Sequence, residues 1–323
     1  MNRQASLIHR ALKWAVLFGV LIWALSGLLH PVMSWTAPRP AERMAPPLLV
    51  ALPGRDPGPL LQAAGIMQSR GLILSELNNR AVWLVRPMAP DALLTVLDAE
   101  TGARIISGER DRAIALARHF RGHPKAEIVE TERLTAFRDD YPAVNRIVPV
   151  WRVRFAGPEQ LDYYIDVPGN RFMTAANAPR RVMLSLFQHL HTAKFLEGLE
   201  PLRLALLSGL LLAITAMSVT GIIMLLRWRG RAPLRRWHRW LGYVAAPAAL
   251  AWPLTGLLHL WTASTLSQPA PAPAAPFAIT EGLRLPDTAP DTPFGQPIAS
   301  LTLHGGYGGE APIAWRYEPT RTT

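Results

Sequence analysis

Three long apolar segments interrupt a chain that elsewhere mixes polar and apolar positions: residues 14–35, 203–227 and 240–262. Apart from the arginines that bound the second segment, none carries a charged residue. Each is long enough to cross a bilayer as a helix, which takes about 20 apolar residues. Tryptophans stand near the segment ends, where an aromatic belt meets the membrane interface: Trp14, Trp35, Trp228, Trp240 and Trp261. The pattern predicts three transmembrane helices.

Residues 36–202 have a different pattern, in which short alternating runs follow amphipathic stretches. Alternation with a period of two predicts strands, around Ala81–Val85, Leu93–Ile106, 148–155 and 161–175. Amphipathic stretches at 60–71 and 110–122 predict helices. The sequence Asp-Ala-Glu-Thr-Gly at 98–102 is a hairpin signal. We expect an α+β domain of two units, each a helix on a small antiparallel sheet.

The chain continues beyond the third apolar segment with a proline-rich linker, residues 263–297, and a final segment, residues 298–323. Eight prolines between positions 269 and 297 favour an extended linker. The final segment has two alternating runs around a glycine-rich centre, which predicts a single hairpin.

The formal net charge of +11 is concentrated at two places. Residues 1–13 and 227–239 carry nine of these charges without one acidic residue, and both flank apolar segments. An excess of Lys and Arg beside a span marks its cytoplasmic side and argues against a nucleic-acid-binding surface. We therefore expect the N-terminus and the loop 228–239 in the cytoplasm. Residues 36–202 and the tail would lie in the periplasm of a Gram-negative bacterium. The first span is too long for a cleaved signal peptide and would remain as an anchor.

Cysteine is absent. This excludes disulfides, thiolate metal sites, iron–sulfur clusters, cysteine nucleophiles and covalent c-type haem attachment. The sequence also contains no flavin or NAD motif, so any redox chemistry would need a separate electron donor. The candidate chemistry therefore falls to histidine.

The first and third spans resemble each other. Residues 9–30 align with residues 238–259 without a gap, and both stretches begin with His-Arg and end with Gly-Leu-Leu-His. Apolar sequence rarely matches by chance at two histidines with one spacing. We interpret the two spans as a parallel repeat of one helix, which makes it plausible that they are neighbours.

Six of the nine histidines stand at span ends: His9, His30, His189, His191, His238 and His259. His9 and His30 are 21 residues apart, which is about 31 Å along a helix and about 60° around it. The repeat gives His238 and His259 the same geometry. His9 and His238 would lie at the cytoplasmic border, and the other four at the outer border.

Paired histidines on neighbouring membrane helices are the ligands of haem b, which needs two imidazoles and no covalent link. Ser26 and Thr255 precede the Gly-Leu-Leu-His histidines by four positions and are expected to orient them. Glycines that follow Ser or Thr in the spans would admit a flat macrocycle or another helix: Gly27, Gly221 and Gly256. Four arginines could pair with haem propionates: Arg10, Arg235, Arg236 and Arg239. The alternative is that these histidines are ordinary interfacial residues and that the small residues serve helix packing.

Two further groups carry weaker signals. His119 and His123 are spaced to chelate a metal on a helix, but Gly122 and Pro124 predict that the helix ends first. The acidic run between Glu130 and Asp140 is interpreted as a solvated face.

These motifs, in this order, resemble the PepSY-associated transmembrane-helix proteins of bacterial inner membranes. The matching stretches cover about residues 5–262: HRALKW (9–14), WALSGLLH (23–30), VLDAETGARI (96–105), YIDVPGNRF (164–172), LFQHLH (186–191), SVTG (218–221), RRWHRWLGY (235–243) and PLTGLLH (253–259). The resemblance implies a PepSY-like outer domain. By it, His9, His191 and His238 match the family's recurrent histidines. Larger members continue through a second outer domain into a fourth span, whereas this chain has one hairpin there.

The family includes haem-containing reductases that release iron from ferric siderophores, and members without known activity. The resemblance thus implies an inner-membrane protein with one or two haems b that passes electrons from a quinol or a reductase to a periplasmic ferric siderophore. We expect His9 and His238 to hold one haem. We expect His191, with His30 or His259 opposite, to hold another, and His189 to point away. The alternatives are a non-enzymatic module that binds a periplasmic protein or peptide, and an accessory subunit of an iron-uptake transporter.

Overall fold

A computed structural model describes residues 3–50, 52–143, 146–227, 233–265, 274–285, 298–304 and 315–319. Its helices are α1 (Arg3–Trp35), α2 (Pro57–Ala63), α3 (Gly108–Arg121), α4 (Ala178–His191), α5 (Glu200–Arg227) and α6 (Pro233–Thr265). Its strands are β1 (Gln68–Ser69), β2 (Gly71–Leu77), β3 (Arg80–Arg86), β4 (Thr95–Asp98), β5 (Ile128–Leu134), β6 (Val150–Phe155), β7 (Asp162–Asp166), β8 (Arg171–Ala176), β9 (Phe277–Ala278), β10 (Ile298–His304) and β11 (Trp315–Pro319).

The chain divides into two compact units. The helical unit contains α1, α5, α6 and the part of α4 from Val182 onward. The α+β unit contains residues 37–181 and the segments that follow α6. Three helices are long and apolar enough to cross a membrane, with candidate spans Ser6–Trp35, Glu200–Leu226 and Trp240–Thr262. The three long apolar helices predicted from the sequence are confirmed. The predicted loop 228–239 is shorter than expected, because α6 already begins at Pro233.

In the helical unit, α5 packs against both α1 and α6. Small residues allow the close approach: a Cβ built on Gly256 of α6 would lie 3.2 Å from the Leu211 side chain of α5. The Ser218 hydroxyl of α5 also donates to the Ala249 carbonyl of α6, at 2.7 Å. Among the described residues, α1 and α6 share no extended interface. The neighbourhood of the first and third spans that the repeat made plausible is therefore not observed.

In the described residues, the α+β unit contains two larger antiparallel sheets with α3 between them, and a two-stranded sheet of β1 and β9. The strand orders of the two larger sheets are β11-β10-β2-β3-β4 and β5-β6-β7-β8. Leu116 and Phe120 of α3 are fully buried against Ile73 and Leu84 of the first sheet and Ile165 of the second. The α+β fold is thus confirmed, and each sheet has a helix, as predicted. α2 packs on the first sheet through Leu60 and Leu61, while α3 packs against both sheets.

The helix predicted at 60–71 is observed only as α2, and β1 and β2 follow it. Asp98–Gly102 forms the predicted hairpin turn, in which Gly102 has the positive φ of +74° that favours glycine. The predicted C-terminal hairpin is also confirmed as β10 and β11. It is not a separate element, because β10 also pairs with β2 through Leu301 and Leu74.

Candidate functional site

His191, the last residue of α4, rests on α1. Its Nδ1 lies 3.2 Å from the Ser26 hydroxyl oxygen. A Cβ built on Gly27 would lie 3.5 Å from His191 Cε1, so the ring edge lies close to that glycine. The Trp23 indole N–H donates to the His191 carbonyl at 3.1 Å, which satisfies an acceptor at the C-terminal end of α4. Serine, glycine and tryptophan of one helix thus fix the position of this imidazole.

Phe187 connects His191 with a second histidine. Its ring stacks on the His191 ring with centroids 4.8 Å apart and an interplanar angle of 15°. The same ring lies 6.0 Å from the His30 ring of α1. Burial lowers the pKa of His191 below its usual value, and the nearby His30 lowers it further. His191 is therefore neutral near pH 7, which is the form of histidine that binds iron.

His9, near the other end of α1, rests on α5 in a similar way. Its Nδ1 lies 3.5 Å from the Thr220 hydroxyl oxygen. A Cβ built on Gly221 would lie 3.6 Å from His9 Cε1. Glycine after a hydroxyl residue therefore faces an imidazole at two places in the helical unit. At the third predicted place, Gly256, the neighbour is the Leu211 side chain.

The remaining candidate histidines are exposed. His238 and His259 of α6 both face outward from the described part of the helical unit. His189 is also exposed, and its Nδ1 lies 2.8 Å from the Ser185 carbonyl oxygen of its own helix. The structure thus brings His30 and His191 to one place and sets His189 apart from them. The pairing of His9 with His238 stays a prediction.

The two hydroxyls expected to orient the Gly-Leu-Leu-His histidines do not do so. Ser26 contacts His191 on another helix. The Thr255 hydroxyl donates to the carbonyls of Ala251 and Trp252 in its own helix. The expectation was wrong because it considered only residues on the same helix face. It also missed Phe187 and Thr220, and for Thr220 the recurring hydroxyl–glycine dipeptide was the available signal.

The arginines predicted to pair with propionates are only partly described. Arg10 of α1 is exposed, and its Nε donates to the Ser6 carbonyl at 3.2 Å. The side chains of Arg235, Arg236 and Arg239 lie outside the described residues.

The α+β unit provides no metal site at the predicted histidine pair. α3 ends at Arg121, as predicted, and Gly122 closes it with a left-handed conformation. His119 instead contacts the Met44 carbonyl through Nε2, at 2.9 Å. Throughout the described residues, no group of three or more His, Asp or Glu side chains could hold a metal ion.

Glu130 and Glu132 of the acidic run have exposed side chains, as predicted, and they are also paired. Glu130 and Glu132 of β5 both form ion pairs with Arg152 of β6, with the Glu132 oxygen 2.8 Å from Arg152 Nη2. The Arg152 side chain is only 9% exposed, so the two carboxylates balance a largely buried charge.

The histidines of the helical unit fit a b-type haem in residue type. Such a haem needs only two axial imidazoles, so the absence of a three-residue cluster among the described residues does not bear on it. His30 and His191 come from different helices and share Phe187. No protein-family model, curated protein or solved structure matches the chain.

Proposed function

We propose that this chain is an inner-membrane haem b electron-transfer protein with a PepSY-like periplasmic domain, and that it passes electrons outward to a ferric siderophore. The observation that carries the proposal is the placement of histidines at both ends of α1, each against another helix. His9 contacts α5, while His30 shares Phe187 with His191 of α4. Their separation of 21 residues corresponds to about 31 Å, the thickness of a bilayer core.

The fold of the α+β unit supports the proposed membrane topology, in which this unit lies on the outer side. Strands from before α5 and after α6 belong to one sheet, because β2 pairs with β10. Both segments must therefore lie on one side of the membrane. The basic residues Arg10 and Lys13 lie at the opposite end of α1, which favours the cytoplasm for that end. The α+β unit would then lie in the periplasm.

In the proposed assignment, His191 and either His30 or His259 would hold a haem at the outer border. His9 and His238 would be the ligands at the inner border. A haem held in this way supplies one-electron transfer. The chain itself orients the His191 imidazole through Ser26 and covers part of its ring with Phe187 and Trp23. A quinol or a cytoplasmic reductase would supply the electrons.

The test is the visible spectrum of membranes that contain the full chain, in matched histidine variants. We expect a Soret band that shifts on dithionite reduction. His191→Ala should change this band, because the iron loses an axial ligand. His189→Ala is the matched control, two residues away and exposed, and should leave the band unchanged. His9→Ala and His238→Ala should remove the same haem as each other.

The proposal is overturned if the wild-type chain adds no haem to the membrane. It is also overturned if all four variants keep the wild-type haem content. A change in His189→Ala and none in His191→Ala would move the site to the other face of α4.

A second candidate function is the binding of a periplasmic protein or peptide, with the helices as anchors. It is favoured by β5, which is an edge strand of the four-stranded sheet. An open groove runs beside it, lined by Arg110 and Arg118 of α3 and by Val129 and Glu130 of β5. An extended peptide could add to such an edge as a further strand. An accessory role in an iron-uptake system would use the same surface, and wild-type membranes without a haem spectrum would favour these functions.

A further inference from the structure

Two imidazoles in the helical unit are held by the same local arrangement, which we call the hydroxyl–glycine seat. One seat is Ser26-Gly27 of α1, which holds His191. The other is Thr220-Gly221 of α5, which holds His9. In both seats Nδ1 faces the hydroxyl oxygen and Cε1 lies closest to the glycine. The similarity of two unconnected contacts points to a shared role.

The hydrogen bonds of each hydroxyl determine which imidazole nitrogen carries the proton. The Ser26 hydroxyl has one proton, which it donates to the Trp23 carbonyl at 3.1 Å. With the proton on that carbonyl, the Ser26 oxygen accepts from His191 Nδ1–H, and Nδ1 then carries the hydrogen of the neutral ring. A neutral imidazole with Nδ1–H has its lone pair on Nε2.

The single hydroxyl proton of Thr220 can be followed in the same way in the second seat. The Thr220 hydroxyl donates to the Ala216 or the Met217 carbonyl, at 2.8 and 3.0 Å. With the proton on either carbonyl, the Thr220 oxygen accepts from His9 Nδ1–H, and the distance of 3.5 Å makes this bond the weaker of the two. Within the part of the chain that the structure describes, neither His9 nor His191 has a hydrogen bond at Nε2.

We propose that Ser26 and Thr220 are positioning residues that fix the tautomer and ring orientation of His191 and His9, so that Nε2 is presented to an iron. This inference rests on the proposed haem function. Metal-binding histidines donate their other N–H to an acceptor, which raises the basicity of the ligating nitrogen. The two seats supply that acceptor from a neighbouring helix.

The hydroxyl, rather than the glycine, is the determining part of each seat. A Cβ at Gly27 or Gly221 would meet its imidazole at 3.5 or 3.6 Å, which is ordinary van der Waals contact. Alanine is therefore tolerated at both glycines, whereas loss of the hydroxyl leaves Nδ1–H without its acceptor.

The chain contains a matched control for the second seat. Thr255-Gly256 of α6 has the same dipeptide in a membrane helix, and its hydroxyl also donates to carbonyls of its own helix. It faces a leucine side chain in place of an imidazole. Thr255→Val and Thr220→Val are therefore the same chemical change, with and without a histidine partner.

The experiment measures haem content and midpoint potential of the purified full chain. We expect Ser26→Ala to weaken haem retention by about tenfold, which is typical for loss of such a partner. The potential should rise, because a less basic imidazole stabilises ferric iron less. Thr220→Val should act in the same direction but less strongly, and Thr220→Ser should restore wild-type values. Thr255→Val, whose hydroxyl has no histidine partner, should match the wild type.

Two outcomes would contradict the inference in distinguishable ways. If the wild type holds haem, and Ser26→Ala and Thr220→Val behave like Thr255→Val, the seats are not positioning devices while the haem function stands. If the wild type holds no haem, the proposed function fails and the inference fails with it.

Discussion

Glu109, in the first turn of α3, is a buried carboxylate that joins three parts of the α+β unit. One oxygen accepts from the Trp151 indole N–H at 2.8 Å and from Arg133 at 3.3 Å. The other accepts from the Leu94 backbone N–H at 2.6 Å. Replacing Glu109 by Ala would leave the buried Trp151 indole N–H without its acceptor. It would also leave the largely buried Arg133 without its counter-charge, with only the Asp91 and Ala92 carbonyls as acceptors. We expect the free energy of unfolding to fall by about 3–5 kcal/mol.

Chemical denaturation of the detergent-solubilised chain, followed by tryptophan fluorescence, would measure this loss. Glu42→Ala is the control in the same unit, since the Glu42 side chain is exposed. Its effect should stay within about 0.5 kcal/mol. Equal effects of the two substitutions would show that the Glu109 bonds do not stabilise the fold.

At the residue scale, the sequence indicated which side chains matter better than it indicated their partners. The family resemblance singled out His191 as a candidate ligand, and spacing singled out Ser26 as a residue that orients a histidine. Spacing paired Ser26 with His30, four residues along the same helix. The observed partner, His191, is 165 residues away. Such a contact depends on how α4 packs on α1, which no local spacing encodes.

At the element scale, the turn after β4 carries a pH-dependent contribution. Asp98 Oδ1 accepts hydrogen bonds from the backbone N–H groups of Glu100 and Thr101 and from the Thr101 hydroxyl. Burial alone would raise the pKa of Asp98, but these bonds and the Arg80 charge hold it below its usual value. The stability that the carboxylate provides is therefore complete above its unfolded pKa of about 4 and is lost as pH falls through the lower, folded value.

We expect Asp98→Ala to lower the free energy of unfolding by about 1–3 kcal/mol at pH 7, since hydrogen bonds to a charged acceptor are lost. The difference from the wild type should shrink as the pH falls below about 4. Urea unfolding at a series of pH values would measure it. Asp98→Asn, which keeps an acceptor oxygen but not the charge, should show a weaker pH dependence than the wild type. If the difference in unfolding free energy between Asp98→Ala and the wild type stayed constant as the pH fell below about 4, this account would be contradicted.

The same scale shows why some elements were predicted and others missed. The long apolar helices and the Asp98–Gly102 turn have signals contained within one stretch of sequence. β2, with six of its seven residues buried, lies in a sheet covered on both faces and therefore lacks the alternation that indicates a strand. In β5 the alternating glutamates gave an acidic pattern, and their pairing with Arg152 depends on strand register.

At the scale of the whole molecule, the segments after α6 complete the core that begins before α2. The Gly58 N–H donates to the Leu283 carbonyl, and the Gln62 side chain donates to the Ile279 carbonyl at 2.9 Å. A Cβ on Gly58 would overlap the Thr280 carbonyl oxygen, so this approach requires glycine. The sequence predicted a linker and a separate hairpin here, because more than 200 residues separate the partners and no local pattern records the pairing.

Because of this shared core, the segments before α5 and after α6 must lie on the same side of the membrane, which cysteine labelling can test. The chain has no native cysteine, so only the introduced residue can react. Ile106, 97% exposed, precedes the second span, and the exposed Glu281 follows the third. Because their segments fold together, Ile106→Cys and Glu281→Cys should react with a membrane-impermeant maleimide from the same side, outside in spheroplasts. The exposed Gln4, at the start of α1, is expected on the other side, so Gln4→Cys should react only in inverted vesicles. Labelling of positions 106 and 281 from opposite sides would contradict the pairing of β2 with β10, and labelling of all three from one side would show that α1 does not cross the membrane.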